Sequence, residues 1–250
     1  MKVYKPFLYH FLEQADRILP TSPQLIEASP FLKPFKDKCI VVPLWVGFKK
    51  LQSSPQKALD LPVEKGEKIV LFVGRLVYYK GLEYLIEAMK DVEAKLLIAG
   101  SGPLEKQLRK KSRIIGVGQK VIFLGKVSDA EIKYLYQICD VFVLPSVEPS
   151  EAFGLVQLEA MAYGKPVVNT NLPTGVPFVS RHGETGLTVP PRDPKALAEA
   201  VLRMMDLPEE KRREMGKAAR KHVEENFSLD RIVDMWEALY KELLEQKGRR

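Results

Sequence analysis

Two carboxylates lying close together in the chain, Glu151 and Glu159, are the first candidates for chemistry. Glu159 lies within the otherwise apolar run 155–162 (LVQLEAMA), where burying a carboxylate is costly unless it has partners. On a helix, a separation of eight residues places two side chains about 80° apart, at about 100° per residue. We therefore predict that both side chains border one crevice. The alternative is a solvated loop acid at Glu151 and an outer-edge position for Glu159.

The stretch 141–168 that carries these acids has the pattern of a strand, a loop, a helix and a second strand. Val141–Leu144 is a short apolar run, and two prolines and a glycine mark the loop after it. Leu155–Tyr163 is a predicted helix, and Pro166–Val168 begins the next strand. Open α/β sheets bind ligands beyond the carboxyl ends of their strands. The free amides near 153–155, at the start of the helix, suit a phosphate.

Two cations flank an earlier loop of the same kind. The segment Gly74-Arg75 follows an apolar strand, and the loop runs through LVYYKG to Lys80 and Gly81. Two fixed cations beside helix N-terminal amides suit a pyrophosphate group. The alternative is that both cations are solvated loop residues.

Two further strand ends carry small or basic residues. Gly100 lies in the turn AGSGP, which lets the backbone approach a ligand but is not a GxGxxG dinucleotide motif. Lys126 and Val127 follow the next strand, before Ser128, a predicted N-cap. Loops suited to a polar ligand thus follow four consecutive strands. Together they predict a ligand-binding site more strongly than any one of these loops does alone.

Strands and helices alternate regularly through the middle of the chain. This alternation predicts an α/β fold with a doubly wound parallel sheet. Residues 172–191 appear irregular in pattern, and three helices are predicted after them, at Pro194–Met205, Pro208–Glu225 and Ser228–Gln246. The predicted strands are Lys68–Val73, Ala94–Ala99, Val121–Leu124, Val141–Leu144 and Val167–Val168, and the helices between them are Gly81–Lys90, Leu104–Ile115, Asp129–Cys139 and Leu155–Tyr163.

The first 45 residues do not have the pattern of a complete domain. Apolar residues at helical spacing over 7–18 predict one helix, and a second, shorter helix is predicted through Leu25–Ala28. Ile18–Leu19 and Ile40–Pro43 are predicted strand segments. These elements cannot form a hydrophobic core by themselves, so we expect them to pack against a larger structural unit.

Several segments together resemble one known family. The segments GRLVYYKG, IAGSGP, FLGKVSD, LPSVEPSEAFGLVQLEAMAYGKPVV, TG and ETGLTVPPRDP occur in order over roughly residues 20–245. They resemble the donor-binding half of the retaining glycosyltransferases of family 4, which have the GT-B fold. The Glu-x7-Glu pattern is the most specific part of this resemblance. It implies transfer of a sugar from a nucleoside diphosphate sugar, with retention of configuration, to an acceptor saccharide or lipid-linked glycan.

The resemblance also implies a role for each candidate residue. Arg75 and Lys80 would hold the diphosphate and, with Glu151, form the catalytic set; Glu159 would bind the ribose hydroxyls. Neither a cofactor nor a metal ion is expected, because the two cations would stabilise the charge on the leaving diphosphate. The implied donor-binding residues are Gly74, Arg75, Lys80, Gly100, Lys126 and Val127 (beside the base), Glu151 (at the sugar), Ala152, Phe153, Gly154, Leu155 and Glu159.

The chain departs from the family pattern at its N-terminal side. Full members have an N-terminal acceptor domain with a catalytic histidine, and the histidines of this chain match no such position. The family's Pro-Asn-Gly-Val-Asp is replaced by 43–47 (PLWVG), which puts Trp45 where a glycine would lie near the donor. The resemblance thus predicts an incomplete acceptor domain at 1–48, a linker at 49–67, a donor-binding domain at 68–227 and a returning helix at 228–250. A missing N-terminal domain or partner chain is therefore expected.

Composition bounds the remaining possibilities. Hydrophobic residues make up 46% and charged residues 28% of the 250, as in soluble globular proteins. Cys39 and Cys139 lie in apolar contexts without metal-ligand spacing and are predicted core residues of a cytoplasmic protein. The net charge of +7 suits an anionic partner, with contact at a membrane surface left open.

Three alternatives compete with the transferase interpretation. A non-catalytic nucleotide-sugar-binding module would use the same crevice, and replacement of Glu151 would then affect binding alone. A GT-B-type nucleotide-sugar epimerase shares the fold, but the EAFG segment suits it poorly. Nucleic-acid binding is not predicted, because the basic clusters, such as 211–213 (KRR), have the pattern of solvated helix faces.

Overall fold

The computed structural model describes residues 4–47, 51 and 57–248 and has a six-stranded parallel sheet at its centre. The strand order is β3-β2-β1-β4-β5-β6, so the direction of winding reverses between β1 and β4. The predicted doubly wound α/β fold is confirmed. The strands are β1 Ile69–Val73, β2 Lys95–Ala99, β3 Val121–Gly125, β4 Val141–Leu144, β5 Val167–Thr170 and β6 Gly186–Val189.

Ten α-helices and two 3-10 helices are formed by the described residues. Their starts follow the predicted caps: the Ser128 hydroxyl and the Glu131 carboxylate form a capping box, and Asp193 caps a helix with proline at its first position. The α-helices are α1 Tyr4–Gln14, α2 Pro23–Ala28, α3 Leu82–Ala88, α4 Glu105–Ile114, α5 Asp129–Ile138, α6 Leu155–Ala162, α7 Val176–Val179, α8 Pro194–Asp206, α9 Glu209–Asn226 and α10 Leu229–Gly248, and the 3-10 helices are Lys33–Lys38 and Tyr78–Lys80.

The sheet is buried on both faces. In β1, Val70 and Phe72 belong to the apolar cluster on one side, while Leu71 and Val73 belong to the cluster on the other. Helices α3, α4 and α8 contribute to the first cluster, and α5, α6 and α9 contribute to the second. This is why the central strands β1 and β4 are continuous apolar runs in the sequence. From residue 68 onward, both predicted limits of each predicted strand and helix lie within two residues of the observed limits.

The structure corrects the sequence-based prediction in two segments. The stretch predicted as irregular contains α7 and β6, whose Gly186 packs so closely on the carbonyl of Val167 that a Cβ atom would collide. The predicted strand Ile40–Pro43 is wrong: this segment makes two backbone bonds, Ile40 N to Ile18 O (2.9 Å) and Val42 N to Pro20 O (3.0 Å). Proline lacks the amide N–H that would continue such a ladder.

The N-terminal segment and the last helix lie together. Val46 forms a parallel bridge with Ser228, and its amide donates to the Phe227 carbonyl at 3.0 Å. The carboxylate of Glu242 accepts from Arg17 at 2.7 Å. Part of the predicted linker, 49–50 and 52–56, lies outside the described residues, and 57–67 contain neither helix nor strand. None of the described helices combines the length and apolarity needed to cross a bilayer.

The two cysteines differ in environment. Cys139 is 1% exposed, and burial raises the pKa of its thiol to about 12. Cys39 is only half-buried, so its prediction as a core residue is wrong. It forms a parallel bridge with Ile18 and belongs to neither of the two apolar clusters that cover the sheet.

The carboxyl ends of β1, β2 and β3 are joined by close backbone contacts. The Gly74 amide donates to the Ala99 carbonyl at 2.9 Å, and the Gly100 amide donates to the Gly125 carbonyl at 2.8 Å. Gly100 has a φ of +136°, and a Cβ atom there would collide with the carbonyl oxygen of Gly74. The chain thus needs glycine at this position for both conformation and space.

Replacing Gly100 with alanine is expected to lower the free energy of unfolding by about 3 kcal/mol, from left-handed strain plus backbone displacement. Gly66→Ala is the matched control, because Gly66 has a φ of +92° but nothing within 4 Å of the added Cβ. That control should lose only about 1 kcal/mol, the cost of the conformation itself. Urea denaturation measures both, and equal losses would contradict the close approach.

Candidate functional site

The central feature of the site is an ion pair at the point where the winding of the sheet reverses. Lys80 follows β1 and Glu151 follows β4, and these strands are neighbours. The Lys80 Nζ lies 2.5 Å from Glu151 Oε2, and each side chain is only 10% exposed. The buried hydroxyl of Ser146 donates to the same oxygen at 2.9 Å. The interpretation of Glu151 as a solvated loop acid is therefore wrong.

The loops that carry this pair are fixed to each other. The Val147 amide donates to the Tyr79 carbonyl at 2.8 Å, which ties the loop after β4 to that after β1. Thr170, at the end of β5, donates its hydroxyl to the Ser146 carbonyl at 2.5 Å. Gly81, with a φ of +63°, allows the close approach of the Pro145 carbonyl. Three adjacent strand ends thus hold Lys80 and Glu151 in register.

Two exposed cations follow strands of the same sheet without being bonded to this pair. Arg75 follows β1 directly, in the loop that leads to Lys80, whereas Lys126 follows β3, two strands away from β1. Within the described ranges neither makes an ion pair or a side-chain hydrogen bond. Val127 is half-buried and packs against the second apolar cluster. Both guanidinium and ammonium groups are therefore free to bind an anion.

The N-terminus of α6 lies next to Glu151 and has open amides. Gly154 precedes the helix with a φ of +74° and provides no side-chain cap. Ala152 is exposed, and its carbonyl accepts from the Gly175 amide at 2.8 Å. Phe153 is 2% exposed, and its ring packs against that of Phe178. This rigid support leaves the first helical turn, beginning at the exposed Leu155, open to an anion.

Glu159 has a different set of partners. Its Oε2 accepts from the hydroxyl of Tyr136 on α5 at 2.8 Å. Burial raises the pKa of the Glu159 carboxyl, and the Tyr136 hydrogen bond partly opposes this effect. Because α6 begins at Leu155, Glu151 lies outside the helix, and the angle calculated for a helix does not describe the pair. That both acids border one crevice stays a prediction.

Sequence reasoning missed three residues that organise the site: Ser146, Thr170 and Tyr136. Each is a common residue type at the end of a strand or inside a helix, so nothing in the local pattern marks it. Their importance lies in partners that are distant in sequence: Ser146 and Thr170, for example, are 24 positions apart.

His222 is buried and lies outside the predicted set of donor-binding residues. His222 on α9 is 6% exposed, and its Nδ1 lies 3.0 Å from the amide nitrogen of Asn226. Burial lowers the pKa of its imidazole. His222 lines a cavity of about 370 Å³ between the N-terminal segment, α9 and α10, and none of the predicted donor-binding residues lines that cavity.

Comparison with known proteins identifies the family. The sequence profile of glycosyl transferases group 1 matches residues 55–222. O-antigen chain mannosyltransferase C from Escherichia coli is 34% identical over 248 residues, which are 99% of this chain and 66% of that protein. D-rhamnosyltransferase WbpZ from Pseudomonas aeruginosa is 35% identical over 229 residues, 91% of this chain and 60% of that protein.

A solved structure shares the fold. Sucrose-phosphate synthase from Thermosynechococcus elongatus superposes with a TM-score of 0.81 at 31% identity, covering 98% of this chain and 63% of that one. The chain therefore spans less than two thirds of the length of each of these three relatives.

Removing one partner of the buried ion pair should be costly. Lys80→Ala leaves Glu151 buried without its counter-charge, so we expect a loss of about 3 kcal/mol in the free energy of unfolding. The matched control Lys126→Ala removes an exposed, unpaired lysine and should stay within about 0.5 kcal/mol of the wild type.

Urea denaturation is the measurement, because urea does not screen charges. The double variant Lys80→Met/Glu151→Leu should be more stable than Lys80→Ala, since no unpaired charge stays buried. A Lys80→Ala loss no larger than that of Lys126→Ala would show that the pair is solvated in solution.

Proposed function

Since the chain belongs to the glycosyl transferases group 1 family, we propose that it supplies the donor-binding part of a sugar transferase. The donor would be a nucleoside diphosphate sugar, and transfer would retain the anomeric configuration. The observation that carries this proposal is the buried Lys80–Glu151 pair at the winding reversal, with the uncommitted Arg75 in the same loop as Lys80 and the open N-terminus of α6 just after Glu151. A diphosphate needs cationic groups and N–H donors of this kind.

Each charged group has capacity left for the donor. An ammonium group has three N–H donors, and the contact with Glu151 uses one of those on Lys80, so two are available to phosphate oxygens. Lys80 and Ser146 both contact Oε2 of Glu151, and its Oε1 has no partner among the described residues. That oxygen would accept a hydrogen bond from a hydroxyl of the donor sugar.

The same groups would assist bond cleavage. When the glycosidic bond to the diphosphate breaks, negative charge develops on the leaving phosphate oxygen. Arg75, Lys80 and the amides at the start of α6 would stabilise that charge, and their attachment to the ends of the sheet would avoid part of the cost of reorganisation. In this proposal the two side-chain cations take the place of a divalent metal ion, and no cofactor is used.

The acceptor side would belong to another part of the whole protein. The relatives above are longer, and this chain exposes large apolar residues on α1 and α10: Tyr4, Phe7, Phe11, Val233, Trp236, Tyr240 and Leu244. Exposed apolar patches of this kind are typical of interfaces. We propose that they contact an N-terminal domain or partner chain that binds an acceptor saccharide or lipid-linked glycan, at or near the cytoplasmic membrane surface.

Calorimetric titration with UDP, GDP, ADP and their sugar conjugates tests the donor site. We expect one nucleotide to bind selectively and Arg75→Ala to weaken it about tenfold or more, because a charge-assisted contact is lost. Lys217→Ala, which removes an exposed lysine on α9, is the matched control and should bind like the wild type. Equal affinities for Arg75→Ala and wild type would show that Arg75 does not bind the diphosphate.

A further inference from the structure

Tyr136 is a buried polar residue that the mechanism above does not use. It is fully buried on α5, its ring stacks on Tyr163 at a centroid distance of 5.7 Å, and it packs against Phe142 at 5.9 Å. A buried tyrosine hydroxyl requires a hydrogen-bond partner. Here the partner is a carboxylate, Glu159 Oε2, at 2.8 Å, with the Val156 carbonyl more distant at 3.4 Å.

The surroundings of Glu159 contain no counter-charge within the described part of the chain. The groups that face it are Tyr136 and Asp129 from α5 and Tyr163 from the end of its own helix. Asp129 is an acid and opposes ionisation of Glu159. The hydrogen bond from Tyr136 is thus the contact that favours the charged carboxylate.

The two carboxylate oxygens of Glu159 are not equivalent. Tyr136 binds Oε2, and no described residue donates to Oε1. The residue is half-buried, and Oε1 is not one of the unpartnered polar atoms that are buried, so it is accessible from outside. A rigid, stacked phenol therefore fixes the plane of the carboxylate while leaving one acceptor uncommitted.

We propose that Tyr136 is the positioning residue for Glu159: it fixes Oε2 so that Oε1 accepts a hydrogen bond from a ribose hydroxyl of the donor. The inference rests on the proposed function and on the ribose contact that the family resemblance implies for Glu159. It assigns selection of ribose over deoxyribose to the Tyr136–Glu159 pair, because an acceptor aligned for a hydroxyl penalises a ligand that lacks it.

The test compares a ribonucleotide with its 2′-deoxy analogue. Dissociation constants are measured for UDP, GDP and ADP and for their 2′-deoxy forms, with wild type and Tyr136→Phe. We expect Tyr136→Phe to bind the preferred ribonucleotide about tenfold more weakly, because a hydrogen bond to a charged group is lost. Its affinity for the deoxy form should change little, so the ratio between the two should fall.

Tyr163→Phe is the matched control. Its hydroxyl donates to the Leu51 carbonyl at 2.6 Å and not to Glu159, although its ring stacks on Tyr136. This variant should keep the wild-type ratio. A folded Tyr136→Phe protein that also keeps that ratio would show that Tyr136 is only a core residue and would overturn the inference.

The pH dependence gives a second readout. Removing the Tyr136 hydroxyl removes the hydrogen bond that lowers the pKa of Glu159, so that pKa should rise further. Glu159 would then lose its charge at a higher pH, and ribonucleotide affinity should fall at a higher pH in Tyr136→Phe than in wild type. An NMR titration of the Glu159 carboxyl carbon follows the same shift without nucleotide.

These readouts separate the two proposals. In one outcome, Tyr136→Phe shifts the titration of the Glu159 carboxyl but leaves the discrimination against deoxyribose unchanged, and Glu159→Gln binds the ribonucleotide like the wild type. That outcome would overturn the ribose role of Glu159. An unshifted titration would overturn the action of Tyr136 on Glu159 whatever the nucleotide result. Binding of no nucleotide by the wild type would overturn the donor site and this inference with it.

Discussion

The buried ion pair between Lys80 and Glu151 is the constraint on which the rest of the site depends. Both charges are largely removed from water, and such a pair is tolerated only when its geometry is well fixed. The chain meets this condition by joining the loops after β1, β4 and β5 through Val147, Ser146 and Thr170. The same contacts that make the burial tolerable give the two side chains one fixed arrangement.

The two acids of the Glu-x7-Glu pattern follow a common design. In each acid, one carboxylate oxygen has partners. Lys80 and Ser146 contact Oε2 of Glu151, and Tyr136 donates to Oε2 of Glu159. The other oxygen is left without a partner among the described residues. A carboxylate fixed in this way loses little conformational freedom when it binds a hydroxyl, which is the benefit of preorganisation. The difference lies in charge: Glu151 is paired with a cation, whereas Glu159 is held by a neutral donor.

The sheet and most of its helices were predictable because their signals are local. Apolar runs between turns gave the strands of a buried parallel sheet, and caps such as Ser128 and Asp193 gave helix starts. The short β6 was missed because Gly186 and a polar Thr188 weaken its apolar pattern. Ile40–Pro43 was over-predicted because apolar composition alone does not provide a partner strand.

The site was predictable in its residue types but not in its contacts. Sequence patterns indicated Arg75, Lys80, Glu151 and Glu159, yet gave no sign that Lys80 and Glu151 bind each other across 71 positions. Burial of Glu151 depends on that pairing, and the pairing depends on the strand order. The pairing of Lys80 with Glu151 can be seen only in the tertiary structure, because β1 and β4 become neighbours only where the winding reverses.

The parallel bridge between Val46 and Ser228 has a mechanical consequence. Val46 in the N-terminal segment and Phe227 just before α10 are far apart in sequence, yet the amide of the first is bonded to the carbonyl of the second. Any displacement of one of these two segments must therefore either break this bond or carry the other segment with it, so the two are mechanically coupled at this point.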